Sequence, residues 1–132
     1  MLRYGVKWFL LDPFNQVEHK RERGESEADY QGRAIRNLKR FARSYDCGVI
    51  VVAHPTKDVK LPNGEIRVPT LYDISGSAHW YNAADHGIVV SGDTTSDVRE
   101  IRIEKSRYRS GGAPGSAFLK LENGRSRPTV AP

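Results

Sequence analysis

Hydrophobic residues in this chain form short runs that are separated by polar segments. A largely apolar run over residues 6–11 ends before Asp12, and a second run over residues 49–53 ends before His54. A proline follows each of these two polar residues, and proline does not continue a central strand. Apolar runs of this length, stopped in this way, are typical of strands buried on both faces in a parallel sheet.

The segment between these two runs has a helical pattern. Ser26 is a suitable N-cap, and Asp29 follows three residues later as a short version of the capping box. The apolar residues that then recur at spacings of three and four are Ile35, Leu38, Phe41, Ala42 and Tyr45. Basic residues occupy many of the other positions, so we predict an amphipathic helix of about five turns. Gly48 is the expected stop signal.

Strand, helix and strand in this order predict a right-handed crossover that connects two parallel strands. In open α/β sheets, ligands bind beyond the carboxyl ends of the strands. We therefore expect Asp12 and His54 to share one edge of the sheet.

The second half of the chain predicts shorter elements. Residues 55–72 form a long polar stretch, and a turn signal at residues 62–64 predicts a small hairpin within it. A loop of this length in a compact domain is usually functional or mobile. A short helix over residues 78–84 and a third apolar strand over residues 87–91 follow.

The last predicted strands cover residues 99–104 and 117–121. Polar and apolar residues alternate in both, with Ile101 and Ile103 facing inward, which predicts an antiparallel pair with one solvent-exposed face. The link over residues 105–115 is rich in glycine and positive charge.

The overall charge agrees with a polyanionic partner but does not require one. Lys and Arg number 21 against 16 Asp and Glu, which gives a net charge of +5. Phosphates attract such a surface, and simple solubility explains it equally well. The single cysteine, Cys47, excludes an internal disulfide and a multi-thiolate zinc site and fits a reduced, cytoplasmic setting. No apolar run reaches the roughly 18 residues that cross a bilayer, so we expect no membrane partner.

Asp12 and His54 carry the first candidate chemistry. A carboxylate at the end of a strand suits the hydration shell of a magnesium ion. A histidine in the same place suits a phosphate oxygen or a nucleophilic water. Each residue alone is more often structural, because strands end in Asp to begin a turn and strand-end histidines bond to neighbouring loops. The two together are more informative than either alone.

Cations carry the second candidate chemistry. Lys105, Arg107 and Arg109 alternate as the chain leaves a strand, so they project from one side of it. Such a tip suits a phosphate group, since arginine forks across two oxygens. The alternative is an edge hairpin whose charges prevent aggregation.

A metal site is a minor alternative. The possible ligands are Asp12, His19, His54, His79, Asp85 and His86. No two of them have a recognised chelating spacing, so we do not expect a hydrolytic metal centre.

Four ordered motifs resemble a known family. They are residues 9–13, residues 49–57, residues 73–78 with Ala84-Asp85, and residues 104–109. In this order they are similar to the later motifs of the DnaB/Twinkle-type hexameric replicative helicases, and most similar to phage and bacterial primase-helicases. The resemblance implies an α/β class and a partial RecA-like P-loop NTPase fold, in which parallel strands with a crossover helix precede an antiparallel hairpin. Residues 1–124 would be the C-terminal portion of that domain and residues 125–132 a polar tail.

The resemblance also implies roles for single residues. Asp12 corresponds to the Walker B aspartate, which holds Mg²⁺ through water, and His54 corresponds to the sensor of the γ-phosphate of ATP. Lys105 and Arg107 correspond to a lysine and an arginine finger that enter the nucleotide site of a neighbouring subunit. Arg109 is a second candidate for the finger.

Two segments, residues 56–70 and residues 73–77, correspond to loops that face the central channel of a hexamer. The residues that would contact single-stranded DNA phosphates are Lys57, Lys60, Arg67, Ser75, Gly76 and Ser77.

The phosphate-binding motif G-x-x-x-x-G-K-[ST] is absent from the chain. The resemblance implies that this P-loop and the catalytic glutamate lie upstream, and that the P-loop strand belongs between the strands over residues 49–53 and 87–91. Without it we expect unpaired backbone and exposed apolar surface at that seam. Either the chain is part of a longer product, or it closes the gap by rearrangement or dimerisation.

The expected function is part of an ATP-dependent replicative DNA helicase in a bacterial or phage-infected cell. Its partners would be single-stranded DNA and the neighbouring subunits of a homo-hexamer, and the isolated chain should not hydrolyse ATP. Two alternatives remain: a non-catalytic nucleic-acid-binding or assembly module, and a piece of a recombinase or repair ATPase. The Lys105-Ser106-Arg107 hairpin argues against the recombinase by resemblance.

Overall fold

A computed structural model describes residues 5–17, 20–56, 59, 61–62, 64, 67–74, 77–92, 95–108 and 112–131. The architecture is mixed α/β, with one parallel pair of strands and one antiparallel sheet. No helix among the described residues is long and apolar enough to cross a membrane.

The first part of the fold is the predicted strand–helix–strand unit. β1 (Trp8–Leu11) and β2 (Gly48–Val51) pair in parallel, and α1 (Glu27–Tyr45) connects them. The apolar stripe of α1 packs on one face of the pair, where Phe41 meets Phe9 edge-on with 5.3 Å between the ring centroids. The prediction of two parallel strands with a crossover helix is confirmed.

Both ends of α1 have an identifiable cause. Ser26 is the N-cap, since its hydroxyl accepts a hydrogen bond from the Asp29 N–H at 3.1 Å. At the other end Asp46, and not the predicted glycine, adopts the left-handed conformation with a φ of 49°, which aspartate tolerates better than most residues. Gly48 instead begins β2, where the Trp8 ring lies so close that a Cβ would overlap it.

The core joins α1 to a second, shorter helix, α2 (Ser77–Ala83). Trp80 packs edge-on against Phe14 with 4.8 Å between the ring centroids, and Ile35 completes the buried cluster. The Trp80 indole N–H donates to the Gln31 side chain at 3.3 Å, so the polar group of this buried aromatic has a partner.

The antiparallel sheet contains four strands in sequence order. They are β3 (His86–Ser91), β4 (Val98–Ser106), β5 (Gly115–Glu122) and β6 (Arg125–Thr129). The predicted antiparallel pairing of the strands around residues 99–104 and 117–121 is confirmed, and both strands are longer than predicted.

β6 lies in the segment that was predicted as a polar tail. It pairs with β5 through a tight turn at Asn123-Gly124, where both residues have positive φ. This dipeptide is a strong hairpin signal, and Pro128 is compatible with a strand at the edge of a sheet. The sequence analysis therefore missed one strand, although its turn signal is present.

The hairpin predicted within residues 55–72 is present only as backbone contacts. The Arg67 N–H donates to the Val59 carbonyl at 3.0 Å, and the Gly64 N–H donates to the Leu61 carbonyl at 2.9 Å. No strand is found in this segment among the residues that the structure describes.

Apolar side chains are exposed next to unpaired strand edges, as predicted. On the parallel pair, Trp8 and Leu10 are 68% and 65% exposed, and Ile50 lies beside Leu10 on the same face. On β3, Ile88 and Val90 are also exposed. Within the described ranges, β2 pairs only with β1, and β3 pairs only with β4.

Candidate nucleotide and nucleic-acid sites

Asp12 and His54 lie beyond the carboxyl ends of two neighbouring parallel strands. The Val52 N–H donates to the Leu11 carbonyl at 2.9 Å, and the Phe14 N–H donates to the Val52 carbonyl at 2.8 Å. These bonds hold the chain after β1 beside the chain after β2, while Phe14 turns into the core. Both candidate side chains are exposed, so the predicted location of Asp12 and His54 at one edge is confirmed.

This edge offers a carboxylate and an imidazole. In the described part of the chain, neither Asp12 nor His54 has an ion-pair partner. A carboxylate in contact with water is a suitable outer ligand for a hydrated magnesium ion, and an exposed imidazole can donate to a phosphate oxygen. The donor set therefore fits the Mg²⁺ and ATP that the resemblance implies.

Lys105 and Arg107 lie at the end of β4, against the carboxyl end of α2. The Lys105 ammonium donates to the Tyr81 carbonyl and lies 4.7 Å from the centroid of the Tyr81 ring. The Arg107 guanidinium donates to the Asn82 carbonyl at 2.6 Å and to the Asp85 carboxylate at 3.1 Å. Both predicted finger residues are thus brought together on one short helix. Arg109 lies outside the described residues.

Burial and neighbouring charge shift the ionisation of this group. Partial burial lowers the pKa of Lys105, and the positive charges of Arg107 and Lys39 lower it further. Partial burial acts to raise the pKa of Asp85, but the hydrogen bond from Lys39 at 2.9 Å and the charge of Arg107 outweigh it and hold this pKa below its ordinary value. Asp85 is therefore an ionised carboxylate between two cations at neutral pH.

Lys39 and Asp85 are functional candidates that the sequence analysis missed. It assigns Lys39 only to the polar face of a helix, and Asp85 only to a motif and a possible metal site. The two ion pairs of Asp85 span 46 and 22 residues of sequence, so no local spacing indicates them.

The two groups of candidate residues lie at opposite ends of the parallel pair. Tyr108, which follows Arg107, lines an open groove with Trp8 and Gly48, the first residues of β1 and β2. Asp12 instead follows the last residue of β1, and a strand of this length spans about 13 Å. The fold of one chain therefore does not bring Asp12 and Arg107 to the same phosphate group.

Most of the predicted DNA-contacting residues lie outside the described residues. These are Lys57, Lys60, Ser75 and Gly76. Ser77 is the first residue of α2. Arg67 forms a two-pronged ion pair with Asp73, with 2.8 Å between Nη1 and Oδ2. This pair favours a structural role for Arg67 over the predicted contact with DNA.

Asp73 organises the backbone between the two predicted DNA segments. Its carboxylate accepts from the Thr70 N–H at 2.7 Å in the capping box of a 3-10 helix, Leu71–Asp73. Its carbonyl accepts from the Thr56 N–H at 2.7 Å, which ties this helix to the chain that follows β2. The first N–H of the same helix donates to Glu104 of β4 at 2.7 Å. The segments that follow β2, precede α2 and end β4 are therefore linked directly.

The alternative of a metal centre gains no support from the geometry. Within the described ranges, no three His, Cys, Asp or Glu side chains converge on one point. Asp85, one of the possible ligands, is instead engaged by two cations, and His19 lies outside the described residues.

These features define a class of protein. A parallel crossover unit has polar side chains at its carboxyl ends, where open α/β sheets bind ligands, and it is joined to an antiparallel sheet whose cations suit phosphate. Mixed α/β proteins with this arrangement include nucleotide-binding proteins.

Comparison with known proteins identifies the family. No family profile matches the chain. The Twinkle homolog protein, chloroplastic/mitochondrial, of Arabidopsis thaliana is 36% identical over 124 residues, which cover 90% of this chain and 17% of that relative. The chain therefore belongs to the Twinkle/DnaB-type helicase family, as its motifs indicate, and it spans less than a fifth of the length of this relative.

Proposed function

We propose that this chain supplies one part of an ATP-dependent replicative DNA helicase with a RecA-like motor fold. In this proposal Asp12 is the Walker B aspartate, His54 is the γ-phosphate sensor, and Lys105 and Arg107 act on the nucleotide of a neighbouring subunit. The family supports this proposal. The chain has no P-loop, so ATP hydrolysis is expected of the complete protein and not of these 132 residues alone.

The observation that carries the proposal is the separation of Asp12 from Arg107. Asp12 follows the carboxyl end of β1, whereas the groove beside Arg107 begins at the amino end of the same strand. Residues that serve one phosphoryl transfer must lie within hydrogen-bond reach of the same phosphate. They meet only if the nucleotide held by one subunit faces the cations of the next, which is the arrangement of a closed ring.

Each side chain has a distinct task in this proposal. Mg²⁺ bound with ATP would neutralise charge on the phosphates. The Asp12 carboxylate orients the water of that ion, and the His54 imidazole donates to the terminal phosphate. Lys105 and Arg107 then stabilise the negative charge that develops on the transferred group, which is the largest electrostatic contribution in this type of reaction.

Single-stranded DNA and five further copies of the subunit are the proposed partners. The DNA would contact the residues between β2 and α2, where Lys57, Lys60, Ser75, Gly76 and Ser77 lie. We propose a bacterial or phage-infected cytoplasm as the setting, whereas the Arabidopsis relative is named as chloroplastic and mitochondrial.

Mixed rings of the complete protein test the proposal. Asp12→Asn and Arg107→Ala subunits should each lack ATPase activity when assembled separately. If the two residues belong to adjacent subunits, random mixing in equal amounts restores about a quarter of the interfaces, because an Arg107→Ala subunit then receives Arg107 from an Asp12→Asn neighbour. Steady-state phosphate release measures the recovery. No recovery on mixing means that both residues act within one chain or that neither acts on ATP.

A non-catalytic nucleic-acid-binding or assembly module is the second candidate. It is favoured by the intramolecular pairing of Arg107 with Asp85, which already satisfies the guanidinium without any nucleotide. In that case Asp12→Asn would leave every activity of the complete protein unchanged, and only salt-dependent binding of single-stranded DNA would remain.

A further inference from the structure

We propose that Asp85 is a positioning residue for Lys105 and Arg107, and that Lys39 keeps Asp85 neutralised when Arg107 leaves for a neighbouring nucleotide. The inference rests on the proposed role of these two cations, and it adds two residues to which no role has been assigned.

The carboxyl end of α2 holds three cations on three successive carbonyl groups. The Tyr81 carbonyl accepts from Lys105, the Asn82 carbonyl from Arg107 at 2.6 Å, and the Ala83 carbonyl from Lys39 at 2.8 Å. The last carbonyls of a helix have no partner within it and carry partial negative charge. This end of α2 is therefore a cradle for the side chains of Lys39, Lys105 and Arg107.

Asp85 lies directly after this cradle and is shared by two of the cations. A single carboxylate oxygen, Oδ1, accepts from the Lys39 ammonium at 2.9 Å and from the Arg107 guanidinium at 3.1 Å. The Arg107 backbone N–H also donates to the Asp85 carbonyl at 2.9 Å. The backbone bond sets where the side chain of Arg107 begins, and the carboxylate sets where it ends.

Sharing makes the departure of Arg107 inexpensive. If Arg107 were the only partner, its loss would leave a partly buried carboxylate without a counter-ion, which is strongly unfavourable. Lys39 remains in contact with Asp85, so the carboxylate stays paired. The guanidinium can then fork across two phosphate oxygens, a better acceptor than the half-occupied carboxylate.

This mechanism predicts opposite effects for two substitutions. Asp85→Asn removes the charge that holds Arg107, so the guanidinium should be released. Lys39→Met leaves Arg107 as the only counter-ion of Asp85, so the guanidinium should be held more tightly. A role that merely stabilises the fold would loosen Arg107 in both variants.

Arginine-selective labelling of the 132-residue chain with phenylglyoxal, followed by mass spectrometry, measures the release. Labelling of Arg107 should become several-fold faster in Asp85→Asn, slower in Lys39→Met, and close to wild type in Asp85→Glu. Lys7→Met is the matched control, because Lys7 lines the same groove but pairs with Asp46 at 3.2 Å, and it should have no effect.

Arg33 serves as the reference for folding, since it is held by Glu25 at 2.7 Å far from the cradle. If Arg33 is labelled faster in Asp85→Asn, that variant reports unfolding, and the slower labelling in Lys39→Met decides alone. Unchanged or faster labelling of Arg107 in Lys39→Met overturns the proposal.

The ATPase activity of the complete protein separates this inference from the proposed function. Asp85→Asn should lower kcat with little change in KM, because it affects a residue that acts on the transferred group. If Arg107→Ala itself has full activity, the proposed function fails, while the labelling result still decides whether Asp85 positions Arg107.

Discussion

Asp73 shows how one carboxylate can shape a loop. It is the buried charged side chain of the described residues, and it accepts from Arg67 and from the N–H and hydroxyl of Thr70. The hydrogen bonds from Arg67 hold the pKa of Asp73 far below its ordinary value, against burial, which acts to raise it. The carboxylate is thus ionised and fully paired where the chain passes between the two proposed DNA segments.

Replacing this carboxylate should weaken the fold in a pH-dependent manner. Asp73→Asn should cost about 1–3 kcal/mol at neutral pH, because Arg67 loses its counter-ion and Thr70 its charged acceptor. Since the folded-state pKa is depressed, the wild-type advantage is complete above the unfolded pKa of about 3.9 and declines as the pH falls toward the folded-state value. Urea unfolding of both proteins at pH 7 and pH 3 measures the difference.

Asp46→Asn is the control for this experiment. Its side chain is 98% exposed beside Lys7, and pairs of this kind contribute little because water screens them. Equal losses for the two variants, or a difference at pH 3 as large as at pH 7, would contradict the assignment.

At the scale of elements, the two helices depend on different interactions. α1 has 19 residues, an N-cap and an apolar stripe, all of which are visible in the sequence. α2 has seven residues, which is too short to be stable by itself. Its stability comes from Trp80 in the core and from the cations on its last carbonyls.

The N-cap of α1 gives a direct test of this contrast. Ser26→Ala should destabilise the protein by about 1 kcal/mol, because the Asp29 N–H loses its acceptor. Ser44→Ala makes the same chemical change at an exposed position inside α1, where alanine is the better helix former. Chemical denaturation should therefore show a lower midpoint for the first variant only, and a lower midpoint for both would mean that the cap contributes nothing specific.

At the scale of the molecule, the most consequential feature is the uncovered apolar face of the parallel pair. Trp8, Leu10 and Ile50 share this face, next to strand edges that have no partner in the described ranges. An exposed apolar face beside an open strand edge favours association with another chain or segment. In the complete protein, the strand that carries the P-loop is the expected cover.

The isolated chain should therefore self-associate, and a charge on this face should prevent it. Leu10→Lys should shift the molar mass measured by light scattering toward that of the monomer, because the lysine resists burial. Val130→Lys is the control, since Val130 is 83% exposed but lies outside this face. A monomeric wild-type chain at tens of micromolar would show that the apolar face is covered in another way.

Much of the fold follows from patterns that are local in the sequence. Apolar runs, an N-cap and spacings of three and four predict β1, α1 and β2, and the handedness of crossovers then places Asp12 and His54 at one edge. The strand β6 was also within reach, because Asn123-Gly124 is a local turn signal. The predicted stop of α1 was misplaced from Asp46 to Gly48, because the ring of Trp8, 40 residues away in sequence, decides what fits at Gly48.

The sequence by itself thus determined the crossover unit, the edge that carries Asp12 and His54, and the family. Only the tertiary structure decided which charges meet. Lys39, Asp85 and Arg107 come from α1, the end of α2 and the end of β4, and no spacing relates them. Their contact exists because the packing of α1 and α2 around Trp80 brings these ends together, and long-range packing of this kind leaves no periodic signal in the chain.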